Sequence, residues 1–294
     1  MGKLPLGGMA WIILSAVGYG SMALFAHFAY ADGVGTTSLL ALRFTLASLM
    51  LGGWVIARRI ALPRGRDLAG FVALGALFAS MAWAYFAALH YASSGLVALL
   101  VYVYPVQVAV LGALFGLDRF GKAERYALLA CSIGLVLLLG HALHAGNPLG
   151  IVLSLLAGFL YAVYILCSSR IGRGANPLGA AWVVITTAAL LHMIFAGYDH
   201  FTLPTGARGW SALVALACFS SVLSISAFLI GLRRVGPTLA SVLSTLEPVV
   251  TVSLGIGFLG EHISPTTLTG SILVLGAASG LALARARQTP EFAA

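Results

Sequence analysis

The most unusual chemistry in this sequence is a glutamate followed by a proline within an apolar stretch. Glu247 and Pro248 lie in LSTLEPVVTVS, residues 243–253. A carboxyl group in hydrocarbon is costly unless it is paired or reaches water, and such residues mark ion and substrate paths. Glu247 could therefore carry protons or bind a substrate amine. A structural role is the alternative, with the carboxyl group hydrogen-bonded to Ser244 or to hydroxyl groups of neighbouring helices.

Aromatic and hydroxyl side chains lie in the middle of other apolar stretches. Membrane tyrosines usually lie at the interface, and a tyrosine hydroxyl in the centre needs a partner or water. These side chains predict an amphipathic cavity, with rings that bind an apolar group and hydroxyl groups that bind an amine and a carboxylate. Alternatively, some of the tyrosines only hydrogen-bond across helices. The predicted lining is Trp83, Tyr85, Tyr102, Tyr104, Tyr161, Tyr164, Ser224, Ser244 and Glu247.

Two prolines are predicted to act through the backbone. Pro105 and Pro248 each lack a backbone donor and clash with the carbonyl group four residues earlier, which frees the carbonyl groups of Val101 and Ser244. Such a break within a membrane is tolerated where protein or a water-filled cavity satisfies the backbone. We expect both prolines to bend or gate helices around a substrate path. Plain kinks without substrate contact are the alternative.

Arg43 is a further ionisable residue in an apolar stretch, ALRFTLASLML, residues 41–51. A structural ion pair, or a side chain that extends to the interface, is the favoured interpretation of an arginine in this position. The histidines His27, His90 and His192 lie nearer the ends of apolar stretches, and structural roles are favoured for them as well.

The composition is typical of a membrane protein. Of the 294 residues, 61% are hydrophobic and 8% are charged, whereas soluble domains contain about 25% charged residues. The mean hydropathy is +1.03. Ten apolar stretches are each long enough to cross a bilayer, which takes about 20 residues. The predicted spans one to ten are residues 9–30, 36–57, 68–90, 95–116, 124–142, 149–170, 176–197, 209–232, 238–260 and 266–285.

No catalytic or cofactor-binding pattern of the sequence has the context it needs, since GIGFLG, residues 255–260, fits G-x-G-x-x-G but ends an apolar span with no preceding strand. The sequence contains no Walker motif, no cysteine or histidine spacing typical of a metal site and no motif that combines a nucleophile with a base. We therefore expect no cofactor, no metal and no enzyme activity.

The basic residues predict the orientation of the spans. Arg208 alone falls on one side and Arg43 lies within a span, whereas the other fourteen of the sixteen lysine and arginine residues share one side. Basic loops face the cytoplasm, so both termini are expected there. The net charge of +8 then faces anionic lipid rather than nucleic acid. The fourteen residues are Lys3, Arg58, Arg59, Arg64, Arg66, Arg119, Lys122, Arg125, Arg170, Arg173, Arg233, Arg234, Arg285 and Arg287.

The two halves of the chain resemble each other. Residues 93–118 align with residues 236–261, with the proline of each stretch in register, and a weaker match sets residues 18–25 against residues 158–165. Because five spans is an odd number, the second half enters the membrane in the opposite direction. Inverted repeats are typical of alternating-access transporters, with the substrate site between the repeats. We expect one bundle of two five-helix repeats, residues 1–145 and 146–294.

The order of these features resembles the drug/metabolite transporter superfamily in its ten-helix EamA-type form. The resemblance rests on the two repeats, on ALRFTLASLML in span two, on the proline midway along spans four and nine, and on LGEHISPTTLTGSILVLGA, residues 259–277. It covers nearly the whole chain. Within the family, the sequence looks nearest to the bacterial amino-acid exporters, particularly the aromatic branch. One departure is that Arg43 aligns with Val183 of span seven, so any role of Arg43 belongs to one repeat.

The resemblance implies a secondary transporter that moves amino acids, with aromatic ones favoured, and related small metabolites across the bacterial inner membrane. We expect spans three, four, eight and nine around its path. Export of other metabolites or drugs is the first alternative, and an intramembrane enzyme is the second. The expected partners are a small-molecule substrate and the lipid bilayer, without nucleic acid. A monomer is expected, and a dimer through the glycines of GAASG, residues 276–280, stays open.

Overall fold

The protein is an all-helical bundle over the residues that the structure describes. This computed structural model covers residues 6–88, 90–92, 94–116, 121–139, 147–172, 174–198, 201–259 and 265–287. These residues form ten helical spans, as the sequence predicts, and seven of the described helices are long and apolar enough to cross a membrane. The spans in order are Leu6–Gly20 with Met22–Ala31; Thr36–Ala57; Gly65–Ala88; Ser94–Val101 with Tyr104–Leu114; Lys122–Leu139; Pro148–Ser168; Pro177–Ala196; Ala207–Ala215, Leu216–Leu223 and Ser224–Val235; Pro237–Ser244 with Glu247–Leu259; and Pro265–Arg287.

Spans six and seven begin with the same local arrangement. The side-chain oxygens of Asn147 and Asn176 accept hydrogen bonds from the backbone N–H groups of Leu149 and Leu178, at 3.0 and 2.9 Å. A proline follows each asparagine. Asparagine caps an otherwise unpaired N–H group, and proline suits the first helical position because its missing donor has no partner there anyway. The asparagine–proline pairs in the loops therefore fix where these two spans start.

The first set of loops meets at one end of the bundle. The start of span one packs against Arg234, the guanidinium group of Arg233 donates to the carbonyl oxygen of Ala175, and Gly179 packs against the backbone of Ala61. These contacts join the start of span one to the loops after spans two, six and eight. We call this the basic end, because its described cations are Arg58, Arg59, Arg64, Arg66, Lys122, Arg125, Arg170, Arg233 and Arg234.

The second set of loops meets at the opposite end. The carboxylate of Asp32 accepts a hydrogen bond from the backbone of Gly206 at 2.9 Å, and the backbone N–H of Asn147 donates to the carbonyl oxygen of Tyr91 at 3.1 Å. Span one therefore starts at the basic end, whereas span six starts at the opposite end and finishes at the basic one. The two halves of the chain cross the bundle in opposite directions. The loops that contain Asp118 and Glu261 lie outside the described residues.

The packing of the spans repeats when each span is replaced by its counterpart five spans later. Span three packs on span six as span eight packs on span one, and span four packs on span six as span nine packs on span one. The pairs two–seven, four–nine and five–ten pack together and map onto themselves. The contacts of the two five-span halves therefore follow the same pattern, with spans four and nine packed on each other and spans one and six beside them.

Candidate substrate-binding site

A cavity of about 170 Å³ lies within the bundle, between residues of both halves of the chain. Spans one, two, three, four, six and nine contribute to its wall, which is mostly aromatic and aliphatic with few polar groups, as in small-molecule sites generally. None of the described residues of span eight lines it. The lining residues are Tyr19, Met22, Ala23, Arg43, Phe44, Phe78, Met81, Ala82, Tyr85, Phe86, Ala98, Val101, Tyr102, Tyr104, Tyr161, Glu247, Pro248, Thr251 and Val252.

A group of packed rings, the aromatic cluster, forms one wall of the cavity, and three of its five rings line the cavity directly. The cluster consists of Phe78, Tyr104, Tyr161, Tyr164 and Phe228. The rings of Tyr104 and Tyr161 lie 4.7 Å apart, those of Phe78 and Tyr164 5.3 Å apart, and those of Tyr161 and Phe228 6.2 Å apart. Tyr104, Tyr164 and Phe228 are each 1% exposed. Ring pairs at these distances add about 0.5–1.5 kcal/mol each to burial alone, so this wall of the cavity is tightly packed.

Glu247 begins the second helix of span nine, and its carboxyl group lines the cavity. A negative charge is favourable at a helix N-terminus. The hydroxyl group of Tyr102 hydrogen-bonds to this carboxyl group. Behind it, the hydroxyl group of Thr251 lies 3.1 Å from the backbone carbonyl oxygen of Glu247 and 3.0 Å from that of Gly20. Spans one, four and nine therefore position this acid together.

Arg43 projects into the same cavity from span two and is held by span eight. Its Nε donates to the hydroxyl oxygen of Ser221 at 2.7 Å, its Nη2 to the carbonyl oxygen of Ser220 at 3.1 Å and its Nη1 to the sulfur of Met22 at 2.8 Å. The guanidinium carbon lies 4.8 Å from the ring centre of Phe44. Among the described residues no ion pair forms on Arg43, which corrects the expectation of a structural ion pair.

The segment that holds Arg43 is a π-helix. Leu216–Leu223 forms eight residues of this wider helix within span eight. The hydroxyl group of Ser221 donates to the carbonyl oxygen of Leu216 at 3.3 Å, five residues earlier. π-helical turns are rare and often lie at functional sites. Here the wider turn presents the carbonyl oxygen of Ser220 and the hydroxyl group of Ser221 to one guanidinium group.

Both spans that contain a central proline are broken one turn before the proline. Residues 102–103 interrupt span four and residues 245–246 interrupt span nine. Pro248 lines the cavity, whereas Pro105 is buried outside the lining. The breaks place Tyr102 and Glu247 where two half-helices meet.

The structure brings together many of the residues predicted from the sequence. The predicted residues that line the cavity are Tyr85, Tyr102, Tyr104, Tyr161, Glu247 and Pro248.

Four other predicted lining residues lie elsewhere. Trp83 is 50% exposed and lines a separate hollow at the opposite end, because two residues along a helix turn a side chain by about 200° away from Tyr85. Tyr164 is in the aromatic cluster, behind Tyr161. Ser224 and Ser244 are buried and donate to the carbonyl oxygens of residues 219 and 240 in their own spans, at 2.8 and 2.9 Å.

Spans one and two supply cavity residues that the sequence reasoning missed, and span eight supports the site without lining it. Tyr19 lines the cavity and carries the same signal as Tyr85, a tyrosine in the middle of an apolar span. The position of Arg43 had a weaker signal, since two of its three hydrogen-bond partners are about 180 positions away in the sequence.

The two halves also match one protein family separately. The family model described as the EamA-like transporter family matches residues 6–140 and again residues 148–283. The chain belongs to the EamA-like transporter family. Its inclusion in this family rests on both repeats, which together span most of the sequence.

Named relatives support the same class of protein. The EamA-like chain is 29% identical over 230 residues to the uncharacterized inner membrane transporter YedA of Escherichia coli, covering 76% of this chain and 73% of YedA. It is 26% identical to an uncharacterized transporter of Archaeoglobus fulgidus, covering 91% and 93% of the two chains. It is 25% identical to the threonine/homoserine exporter RhtA of Escherichia coli, covering 85% and 83%.

A solved crystal structure shares the fold of this EamA-like chain. The two superpose with a TM-score of 0.83 over 96% of this chain and 98% of the other, at 23% sequence identity. With the family match and the membrane-length helices, the protein is a membrane transporter of the EamA-like family.

Proposed function

We propose that this transporter exports amino acids, with aromatic amino acids favoured, and related small metabolites across the inner membrane by alternating access. The observation that carries the proposal is the cavity between the two halves, where tyrosine rings surround the carboxyl group of Glu247. An ammonium group can bind a carboxylate, and the rings of Tyr85 and Tyr161 can cover an apolar side chain. The relative RhtA, named as a threonine/homoserine exporter, supports the amino-acid class.

Two halves that run in opposite directions support alternating access. In transporters of this kind the two repeats rock against each other around a fixed substrate site, so that the path opens to one side of the membrane at a time. We propose that the aromatic cluster closes the path toward the basic end, where Tyr164 and Phe228 are buried, and that the path opens on the other side, past the partly exposed Tyr85 and Tyr102. With the basic end toward the cytoplasm, as the positive-inside rule favours, the aromatic cluster would separate the cavity from the cytoplasm.

Export of aromatic amines or drugs is the second candidate. The wall of the cavity is largely apolar and contains the acid Glu247, which suits an organic cation without a carboxylate. We propose that the transporter works as a monomer in the bilayer, without cofactor or nucleic acid, whichever of these substrates it moves.

Flux into vesicles tests the proposal. Purified protein in liposomes is given radiolabelled phenylalanine, tyrosine or threonine, with phenethylamine as the amine probe, and protein-free liposomes are the control. We expect protein-dependent flux of at least one amino acid. Flux of phenethylamine without flux of any amino acid would establish the second candidate instead, and no flux of either class would contradict transport of both kinds.

A further inference from the structure

The guanidinium group of Arg43 has unused donors in the cavity wall. A guanidinium group carries five N–H donors. The described residues accept three hydrogen bonds from Arg43, one from each of its three nitrogen atoms. Nη1 and Nη2 therefore each keep one N–H group. The side chain is 3% exposed and lines the cavity, so these two donors are left for water in the cavity or for a bound molecule.

The cavity holds one cationic and one anionic group, and each comes from a different half of the chain. Arg43 belongs to span two and Glu247 to span nine, and both line the same cavity without forming an ion pair with each other. The two charged groups are close enough to interact electrostatically. A ligand with a carboxylate at one end and an ammonium group close by would complete both sets of interactions.

The geometry of Arg43 is fixed before a ligand arrives. Three hydrogen bonds and the ring of Phe44 restrain the guanidinium group, and the π-helix of span eight supplies two of those three acceptors. A planar guanidinium group with two free donors matches the two oxygen atoms of a carboxylate. A restrained group loses little entropy on binding, which favours affinity.

We propose that Arg43 is the carboxylate-binding residue of the cavity, and that with Glu247 it selects substrates that carry an α-amino carboxylate. This inference rests on the proposed function and adds its recognition element. An amino acid would place its carboxylate on Arg43, its ammonium group on Glu247 and its side chain among the tyrosine rings. An amine without the carboxylate would leave the donors of Arg43 buried without partners, which carries a desolvation penalty.

The test is competition against bound radiolabelled phenylalanine on the full-length protein. The competitors are phenylalanine, phenylalaninamide, which lacks the carboxylate, and phenylpropionate, which lacks the amine. We expect the wild-type protein to bind phenylalaninamide roughly tenfold or more weakly than phenylalanine. In Arg43→Gln, we expect phenylalanine to weaken to the level of the amide while the amide itself changes little. A threonine and threoninamide pair repeats the comparison if threonine is the better substrate.

Arg58→Gln is the matched control. Arg58 is an exposed arginine at the end of span two, with its guanidinium carbon 4.7 Å from the ring centre of Trp54, and its loss should leave all competitors unchanged. If Arg43→Gln does not fold, Arg43→Lys, which keeps the charge without the planar fork, should show an intermediate preference.

The wild-type comparison can overturn the inference without any variant, and the Arg43→Gln comparison assigns a carboxylate preference to this residue. Equal competition by phenylalanine and phenylalaninamide would overturn the role of Arg43 while leaving amino-acid transport intact. Equal weakening of every competitor in Arg43→Gln would show a purely structural role. If neither phenylalanine nor threonine binds to the wild-type protein, it is the proposed function that fails.

Discussion

Gly158 of span six packs directly on the carbonyl oxygen of Val101 in span four. A β-carbon built on Gly158 would lie 2.9 Å from that oxygen, which no ordinary side chain tolerates. The carbonyl group of Val101 is the one that Pro105, four residues later, cannot pair. The break in span four and the glycine of span six therefore fit each other.

We expect Gly158→Ala to separate the two spans. The added methyl group meets backbone rather than a flexible side chain, and overpacking of this kind costs about 1–3 kcal/mol. Thermal unfolding in detergent should therefore occur at a lower temperature than in the wild-type protein. Gly53→Ala is the control, because nothing lies within 4 Å of a β-carbon at Gly53. Equal unfolding temperatures of the two variants would show that the contact is not tight.

Tyr102→Phe should weaken substrate binding without unfolding the protein. The change removes the hydroxyl group that hydrogen-bonds to Glu247 and keeps the ring in the cavity wall. The loss of one such hydrogen bond should raise the dissociation constant by roughly 2–10-fold, measured by direct binding of labelled amino acid. Tyr126→Phe serves as the control, since Tyr126 is 73% exposed on span five. An unchanged dissociation constant would show that the hydroxyl group of Tyr102 does not contribute to substrate binding.

Glu247→Gln should lower amino-acid flux by roughly tenfold or more, since hydrogen bonds to a charged group are worth about 1.5–3 kcal/mol. If the carboxyl group also exchanges protons during transport, the variant should lose the pH dependence of flux that the wild-type protein shows. Flux in liposomes at several pH values measures both effects. Asp67→Asn, at an exposed position in span three, should change neither. Unchanged flux with an unchanged pH profile would make Glu247 a structural acid.

Ser221→Ala should affect carboxylate recognition more than amine recognition. Its hydroxyl group accepts the hydrogen bond from Nε of Arg43, so its loss leaves the guanidinium group less restrained. In the competition assay, phenylalanine should weaken by roughly 2–10-fold while phenylalaninamide stays nearly constant. Ser80→Ala is the matched control, because the exposed hydroxyl group of Ser80 bonds within its own helix, to the carbonyl oxygen of Ala76. A uniform loss across competitors would contradict this role of Ser221.

Much of the fold follows from local features of the sequence. Long apolar runs identify the spans, glycine, proline and charge clusters identify the loops, and the two central prolines identify where spans four and nine break. The interior acid Glu247 is equally visible, because a carboxyl group in an apolar run has few benign explanations. These features depend on composition and short spacing, which the sequence displays directly.

The parts of the site that could not be predicted depend on the rotation and pairing of helices. Trp83 and Tyr85 are equally apolar and aromatic, and only the rotation of span three decides that Tyr85 faces the cavity. Arg43 has two of its three hydrogen-bond partners in a π-helix of span eight, and a π-helix has no clear sequence pattern. Ser224 is a polar residue in an apolar span, as a lining residue would be, yet its hydroxyl group donates a hydrogen bond within its own span. Which side chains face the cavity, and which partners they contact, is determined only by how the spans pack together.

The division of Arg43 and Glu247 between the two halves also has a consequence for the moving carrier. An amino acid brings one charge of each sign, so the loaded site is as neutral as the empty one. An amine alone would leave an extra positive charge enclosed in a low-dielectric cavity while the two halves move against each other. An organic acid would leave an extra negative charge enclosed in the same way. Enclosing an uncompensated charge is expensive. Selection would then act twice, first at binding and again as a barrier to movement for any molecule that unbalances the site.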